Sequence, residues 1–95
     1  MILKVRIEDH SFNLGVGSGN NDWAWVSHYA ARKFAKICYP QGTYLPTQLS
    51  IIDKEGQEYY PHPKEKIQMF LDENKLDCKA ISVLVRIRKG NHAFS

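Results

Sequence analysis

The side chains that could support catalysis or bind a metal ion are few in this chain of 95 residues, and they are scattered along it. Neither Cys38 nor Cys78 has a general base near it in sequence, as an activated thiol nucleophile requires. The histidines lack the short spacings of a metal site; they are His10, His28, His62 and His92. We therefore predict no catalytic residue, no metal site and two reduced cysteines, as in a cytosolic protein.

A glycine-rich stretch, Gly15–Gly19, precedes a helical region and raises the question of nucleotide binding. The dinucleotide-binding fingerprint needs a further glycine where this chain has Asn20, and it needs a parallel βαβ unit rather than a hairpin. The stretch therefore predicts a flexible loop and no bound cofactor.

Basic residues alternate with apolar ones near both ends of the chain, which is typical of strands with one face in water. If the two strands are neighbours, the cations cluster on one sheet face around Leu84 and could bind an acidic peptide or an acidic patch. They are Lys4, Arg6, Arg86 and Arg88. The alternative is a solvated face without a partner. Nucleic acid is disfavoured, because we expect no outward aromatic residue on these strands to stack on bases.

The hydrophobic pattern predicts a hairpin followed by a long helix. Apolar residues alternate with polar ones over residues 3–7 and 12–16, with a turn at Asp9 and His10. Residues 23–38 have a helical period, with Asn21 or Asp22 as the N-cap. The stripe that we expect against the sheet is Trp23, Val26, Ala30, Phe34 and Ile37.

The opposite side of this helix is a second candidate binding surface. Aromatic and basic side chains of the kind enriched at binding hot spots follow one another there; they are Trp25, Tyr29, Arg32 and Lys36. The alternative is that the two aromatic rings pack under the loop formed by residues 39–46.

The second half of the chain predicts two short strands, a short helix and a long last strand. The strands are residues 48–52 and 58–60, joined by a turn over Asp53–Gly56, and the helix is residues 64–73. In the last strand, residues 80–90, the odd-numbered side chains from Ile81 to Ile87 share one face. The apolar face of the short helix is Ile67, Phe70 and Leu71.

These elements can assemble in few ways. The helix must cover one sheet, because each strand offers one apolar face and the helix offers one apolar stripe. The last strand can join the hairpin only by crossing over the helix, so we expect it to lie parallel to the first strand. The sequence thus predicts an α+β fold of the β-grasp type, with a mixed sheet of about five strands on one main helix and a short second helix.

The chain resembles ubiquitin and the ubiquitin-like family over residues 1–90, followed by a tail of residues 91–95. The resemblance rests on the order of elements and on the last strand, which is hydrophobic, then basic, and ends in glycine. It implies a β-grasp domain. A modifier processed after Gly90 is one alternative, although Lys89 stands where ubiquitin has the first of two glycines.

A second, partial resemblance is to Phox/Bem-type domains, which polymerise head to tail through a basic and an acidic end. The acidic end would be Asp53, Glu55 and Glu58, which flank the turn at Gly56, and the basic end would be Lys4 and Arg6. The resemblance implies a homo-oligomer in which the acidic end of one copy contacts the basic end of the next. The alternative is an ordinary charged turn.

We expect a non-enzymatic protein-interaction domain that binds a protein partner, an acidic one if the basic face is used, and that needs no cofactor. No apolar run approaches the length of a membrane span. Because the first strand follows Met1 directly, we expect the N-terminal module of a larger intracellular protein, a cytoplasmic scaffold or a cytoskeletal protein.

Overall fold

Five strands form one mixed sheet, and one long helix packs against it. The computed structural model describes residues 1–38 and 44–89. The elements are β1 (Ile2–Ile7), β2 (His10–Gly15), α1 (Trp23–Cys38), β3 (Tyr44–Asp53), β4 (Glu58–Tyr59), α2 (Ile67–Glu73) and β5 (Ile81–Lys89). Across the sheet the strand order is β2-β1-β5-β3-β4. This confirms the predicted α+β arrangement of the β-grasp type. Neither described helix is both long and apolar enough to cross a membrane.

The β1 strand has a partner on each side. It pairs antiparallel with β2 along its whole length and parallel with β5, where Val5 lies opposite Val83. The parallel pairing confirms the predicted crossover. The hairpin turn was predicted one residue too late: it consists of Glu8 and Asp9, and His10 already pairs with β1. Glu8 takes up the tight reversal with a φ of 53°.

The start of α1 is fixed by several hydrogen bonds to its first amides. The carboxylate of Asp22 accepts from the amide of Trp25 at 2.8 Å, which is the N-cap bond that the sequence predicts. The amides of Trp23 and Ala24 donate to backbone carbonyls in the segment before α2. These bonds satisfy donors that a helix leaves without intrahelical partners.

The core lies between α1 and the sheet, and the predicted stripe fills it with one exception. Trp23, Val26, Ala30 and Phe34 are buried, but Ile37 is 57% exposed, so its prediction as a core residue was wrong. The ring of Phe34 already meets His10 at the start of β2 and Tyr44 at the start of β3. Ile37 lies about one turn further along the helix, past these strand ends, where the sheet offers no surface to cover it.

β3 begins earlier than the predicted residue 48. Proline lacks the N–H that a ladder needs, so Pro46 argued against a strand at this point. The register against β5 shifts between Pro46 and Gln48, which makes Thr47 the extra residue of a bulge. The Thr47 hydroxyl donates to the carbonyl of Arg86 at 3.2 Å. The bulge thus lets the strand continue through the proline.

The second helix begins later than predicted, at Ile67 rather than residue 64. The preceding residues instead form a turn that connects to the start of α1, and the amide of Ile67 donates to the carbonyl of Asn21. A single 3-10 turn, Cys78–Ala80, leads into β5 and was not predicted. The predicted apolar face of α2 is confirmed, since Ile67, Phe70 and Leu71 are buried.

The glycine-rich stretch is held in place more firmly than a flexible loop would be. Gly19 is buried, has a φ of 83°, and accepts a hydrogen bond from the amide of Gln68 at 3.0 Å. A side chain at this position would come within 3.0 Å of Gln68 and Met1. The glycine therefore allows the loop to pack directly on α2.

Candidate protein-binding surfaces

The sheet face that points away from α1, here called the open face, carries the predicted basic residues. Along β1 the buried and exposed side chains alternate, and Lys4 and Arg6 are exposed. Arg6 lies opposite Leu84 on β5, which itself lies opposite Ser50 on β3. Because side chains alternate between faces, Arg86 lies on this face as well.

Two shallow depressions on the open face share Arg6 and Leu84 as lining residues. One, of about 360 Å³, is also lined by Lys4 and Ile52. The other, of about 380 Å³, is also lined by Arg86. Three of the predicted cations therefore surround one half-buried leucine, and we call Lys4, Arg6, Leu84 and Arg86 the basic cluster.

The fourth predicted cation is separate from the basic cluster. Arg88 is exposed and lies opposite Leu45, near the C-terminal end of β5. It lines neither of the two depressions. Gly90 and the tail of residues 91–95 lie outside the described residues, and processing after Gly90 stays a prediction.

Tyr60 belongs to the open face and was not among the predicted site residues. It follows β4 directly and is 59% exposed. Partial desolvation raises the pKa of its hydroxyl, as do the charge and hydrogen bond of Glu58, while the charge of Arg86 acts in the opposite direction. The interaction with Arg86 puts an aromatic ring beside the basic cluster. The alternation along β4 could have predicted it, because Glu58 and Tyr60 are two residues apart and so face the same side of the sheet.

The acidic turn contains one carboxylate that is engaged within the turn itself. One oxygen of Asp53 accepts from the amides of Glu55 and Gln57, each at 2.9 Å, and the other accepts from the Tyr59 hydroxyl at 3.1 Å. Desolvation raises the pKa of Asp53, but these hydrogen bonds outweigh it and hold the pKa below its ordinary value. Asp53 thus stabilises the β3–β4 hairpin.

The other two predicted acidic residues are exposed but lie apart. Glu55 is at the tip of the turn, whereas Glu58 lies opposite Ile52 and so faces the same side of the sheet as the basic cluster. The predicted acidic end is therefore split between a turn and a sheet face. Head-to-tail assembly stays a prediction.

The four predicted residues on α1 divide into two kinds. Trp25 and Tyr29 are half-buried, pack against the core and contact each other, with ring centroids 5.1 Å apart. Arg32 and Lys36 are exposed. The aromatic pair is therefore partly used in packing, which reduces what it can offer to a partner. Most of the loop that was predicted to cover it, residues 39–43, lies outside the described residues.

A groove between α1 and β3 was not predicted. It has a volume of about 210 Å³. Three segments that are distant in sequence line it: the first turns of α1, the bulged part of β3, and the chain between β4 and α2. The lining residues are Trp23, Ala24, Ser27, His28, Pro46, Thr47, Gln48, Leu49, Pro61 and Pro63. We call this feature the α1–β3 groove.

The residues that could bind a metal ion do not form a site within residues 1–38 and 44–89, where no three His, Cys, Asp or Glu side chains come together.

Comparison with protein-family models, with curated proteins and with solved structures finds no match. The surfaces described above are therefore the basis for a proposed function.

Proposed function

We propose that this β-grasp domain is a non-enzymatic interaction module whose basic cluster binds an acidic segment of a partner protein. The observation that carries the proposal is the arrangement of Lys4, Arg6 and Arg86 around Leu84 in two adjoining depressions. Cations at the rim would attract carboxylates, and the leucine would contact an apolar side chain of the partner. The setting that we propose is an intracellular scaffold or adaptor protein, with a cytoskeletal protein as one case.

The cations of the basic cluster are available for such a partner. Lys4, Arg6 and Arg86 are exposed. Within the described part of the chain, none of them makes an ion pair with a carboxylate. The Arg6 Nε donates to the carbonyl of Glu8 at 3.1 Å, which directs the guanidinium towards the hairpin turn and leaves its other donors for a ligand.

The test is a titration of the full chain with a synthetic peptide of alternating glutamate and leucine, followed by NMR. We expect shifts of the amides in β1 and β5 next to the basic cluster. The double variant Arg6→Glu, Arg86→Glu should weaken binding by about tenfold or more, because two attractive contacts become repulsive. Circular dichroism would check that the variant still folds.

The matched control is the double variant Arg32→Glu, Lys36→Glu, which makes the same change of charge on the outer side of α1. We expect the peptide to bind this variant within about twofold of the unchanged protein. If the α1 variant weakened binding and the variant of the basic cluster did not, the helix would be the binding surface and the proposal would be wrong.

A further inference from the structure

The free edge of β3 has one residue whose backbone groups lack the partner that the ladder would give them. The amide of Asp53 donates to Gln57, on the β4 side of β3. Ile51 is paired with Tyr59, and by the alternation of an antiparallel ladder Leu49 also directs its N–H and C=O to that side. The residue opposite Leu49 in this register is Pro61.

Pro61 explains why β4 ends where it does. A proline has no N–H, so it cannot donate to the carbonyl of Leu49. The chain then leaves the edge of β3 and crosses to α1, where the carbonyl of Pro63 accepts from the amide of Ala24 at 2.8 Å. Within the described residues, no backbone hydrogen bond replaces the lost pairing at Leu49. β4 therefore ends at Tyr59, and the α1–β3 groove, which Leu49 and Pro61 both line, lies beside this part of the β3 edge.

On the helix side the groove is bounded by Trp23, whose ring is buried. The remaining surface is mostly apolar, from Ala24, Leu49 and the prolines, and the space of about 210 Å³ suits one large apolar side chain.

We propose that an extended segment of a partner protein binds in the α1–β3 groove by adding a strand to the edge of β3. Its backbone would pair with the N–H and C=O of Leu49, and one apolar side chain would enter the groove. An extended chain carries both a donor and an acceptor beside an apolar side chain, which is the set of groups that the Leu49 backbone and the groove leave unmatched. This site is separate from the basic cluster and does not depend on it.

The opposite edge of the sheet does not offer the same opportunity. On β2 the ammonium of Lys33 donates to the carbonyl of Asn13 at 3.2 Å and lies 5.7 Å from the centre of the Phe12 ring. Lys33 thus binds an edge carbonyl and covers the adjacent apolar surface. Natural sheets often protect their edges with a lysine in this way. Strand addition is therefore expected on the β3 side of α1 and not on the β2 side.

The probe is an acetylated and amidated eight-residue peptide of zero net charge, with a Val-Phe-Val-Leu core and one lysine and one glutamate on each side. Titrated into the full chain, it should shift the Leu49 amide and the Trp23 indole N–H in NMR spectra and slow hydrogen exchange at Leu49. A peptide with a Ser-Gly-Ser-Gly core should not. Absence of these changes with the apolar core would overturn the proposal.

Two N-methylated forms of the probe test the strand pairing without altering the protein. One carries the methyl groups on the first and third core residues and the other on the second and fourth. Only alternate N–H groups of an added strand face β3. One form should therefore bind at least tenfold more weakly than the other. Equal affinities would contradict strand addition.

The variant Ser27→Phe should fill the groove from α1 and lower the affinity for the probe by at least tenfold. Ser27→Ala should leave that affinity within twofold of the unchanged protein. The double variant Arg6→Glu, Arg86→Glu should bind the neutral probe normally, so a failure of the groove proposal can be told apart from a failure of the basic-cluster proposal.

A deletion of residues 90–95 tests whether the chain's own C-terminal segment is the occupant. If the deletion shifted the same resonances and strengthened binding of the probe, that segment would be the occupant and the partner proposal would be wrong.

Discussion

The open face and the α1–β3 groove offer a partner opposite chemistry. On the open face, Lys4, Arg6 and Arg86 provide charge around Leu84. In the groove, the lining is mostly apolar, and the neutral backbone groups of Leu49 have no ladder partner on this side among the described residues. The two proposed binding surfaces would therefore select partners by different forces. This difference also gives the means to separate them by experiment.

The largest effect that we expect is a contrast in salt dependence. Raising the salt concentration from about 0.01 M to about 1 M shortens the screening length from about 30 Å to about 3 Å. Binding of the glutamate–leucine peptide to the basic cluster should weaken by more than about tenfold, whereas the neutral probe should change by less than about twofold. Isothermal titration calorimetry at both salt concentrations measures this. Equal salt dependence of the two peptides would mean that they share one surface.

A second prediction concerns what makes one flank of α1 open and the other closed. The variant Lys33→Ala removes the cation beside Phe12 and the donor to Asn13, so we expect a loss of roughly 0.5–1 kcal/mol in the free energy of unfolding. The β2 edge should then also accept the neutral probe, seen as new shifts at Asn13.

The control for this prediction is Lys36→Ala, which removes an exposed lysine one turn along the same helix. It should change neither the unfolding free energy in urea nor the spectrum of the β2 edge with probe present. If Lys33→Ala behaved in the same way, the lysine would not be what closes this flank.

A third prediction addresses the β3–β4 hairpin that both surfaces share. Hydrogen bonds to the Asp53 carboxylate hold its pKa below the ordinary value, despite some desolvation. A lowered folded-state pKa stabilises the native protein above the unfolded-state pKa of about 3.9, and this stabilisation is lost as the pH falls through the folded-state value. The free energy of unfolding of the unchanged protein should therefore exceed that of Asp53→Asn by the full amount at neutral pH, and the difference should shrink in acid.

Urea unfolding at a series of pH values between about 7 and about 2 measures this advantage. Glu55→Gln is the matched control, because it removes the same charge from an exposed position in the same turn. An advantage over Asp53→Asn that stayed constant down to the lowest pH would show that the carboxylate hydrogen bonds do not matter for stability.

The smallest effect that we expect is self-association. If the basic cluster of one copy contacts Glu55 and Glu58 of another, sedimentation should become weakly concentration-dependent at low salt. Arg6→Glu and Glu58→Lys should each abolish this dependence, and mixing the two variants should partly restore it. A monomer at the highest attainable concentration would end the head-to-tail alternative and leave the open face for a different protein.

Much of the fold could be predicted because the local signals agree with the tertiary structure. The start of α1 follows from the capping carboxylate of Asp22, and the parallel pairing of β1 and β5 follows from handed crossover rules. The start of β3 was missed because a proline normally excludes a ladder position, and only the bulge at Thr47 removes the conflict. Ile37 was misplaced because helical period says which side a residue takes, not where the sheet ends.

The two proposed binding surfaces differ in how far the sequence alone could predict them. The basic cluster could be predicted, since alternation within β1 and β5 fixes the face and one pairing brings the strands together. The α1–β3 groove could not, because its walls come from the start of α1, the bulge of β3 and the segment after β4. The unpaired backbone groups at its edge belong to Leu49, and they depend on the β3–β4 register, which would bring Pro61 and not another residue opposite Leu49.

The chain by itself thus determined which residues face water and which face the core, because side-chain period is a local property of helices and strands. It also determined that one helix must cover one sheet, because each element has a single apolar surface. Only the tertiary structure decided that β4 ends at Tyr59, opposite Ile51, and that Lys33 donates to the Asn13 carbonyl on the other flank of α1. Those facts depend on register and on contacts between segments far apart in sequence, and no local pattern encodes them.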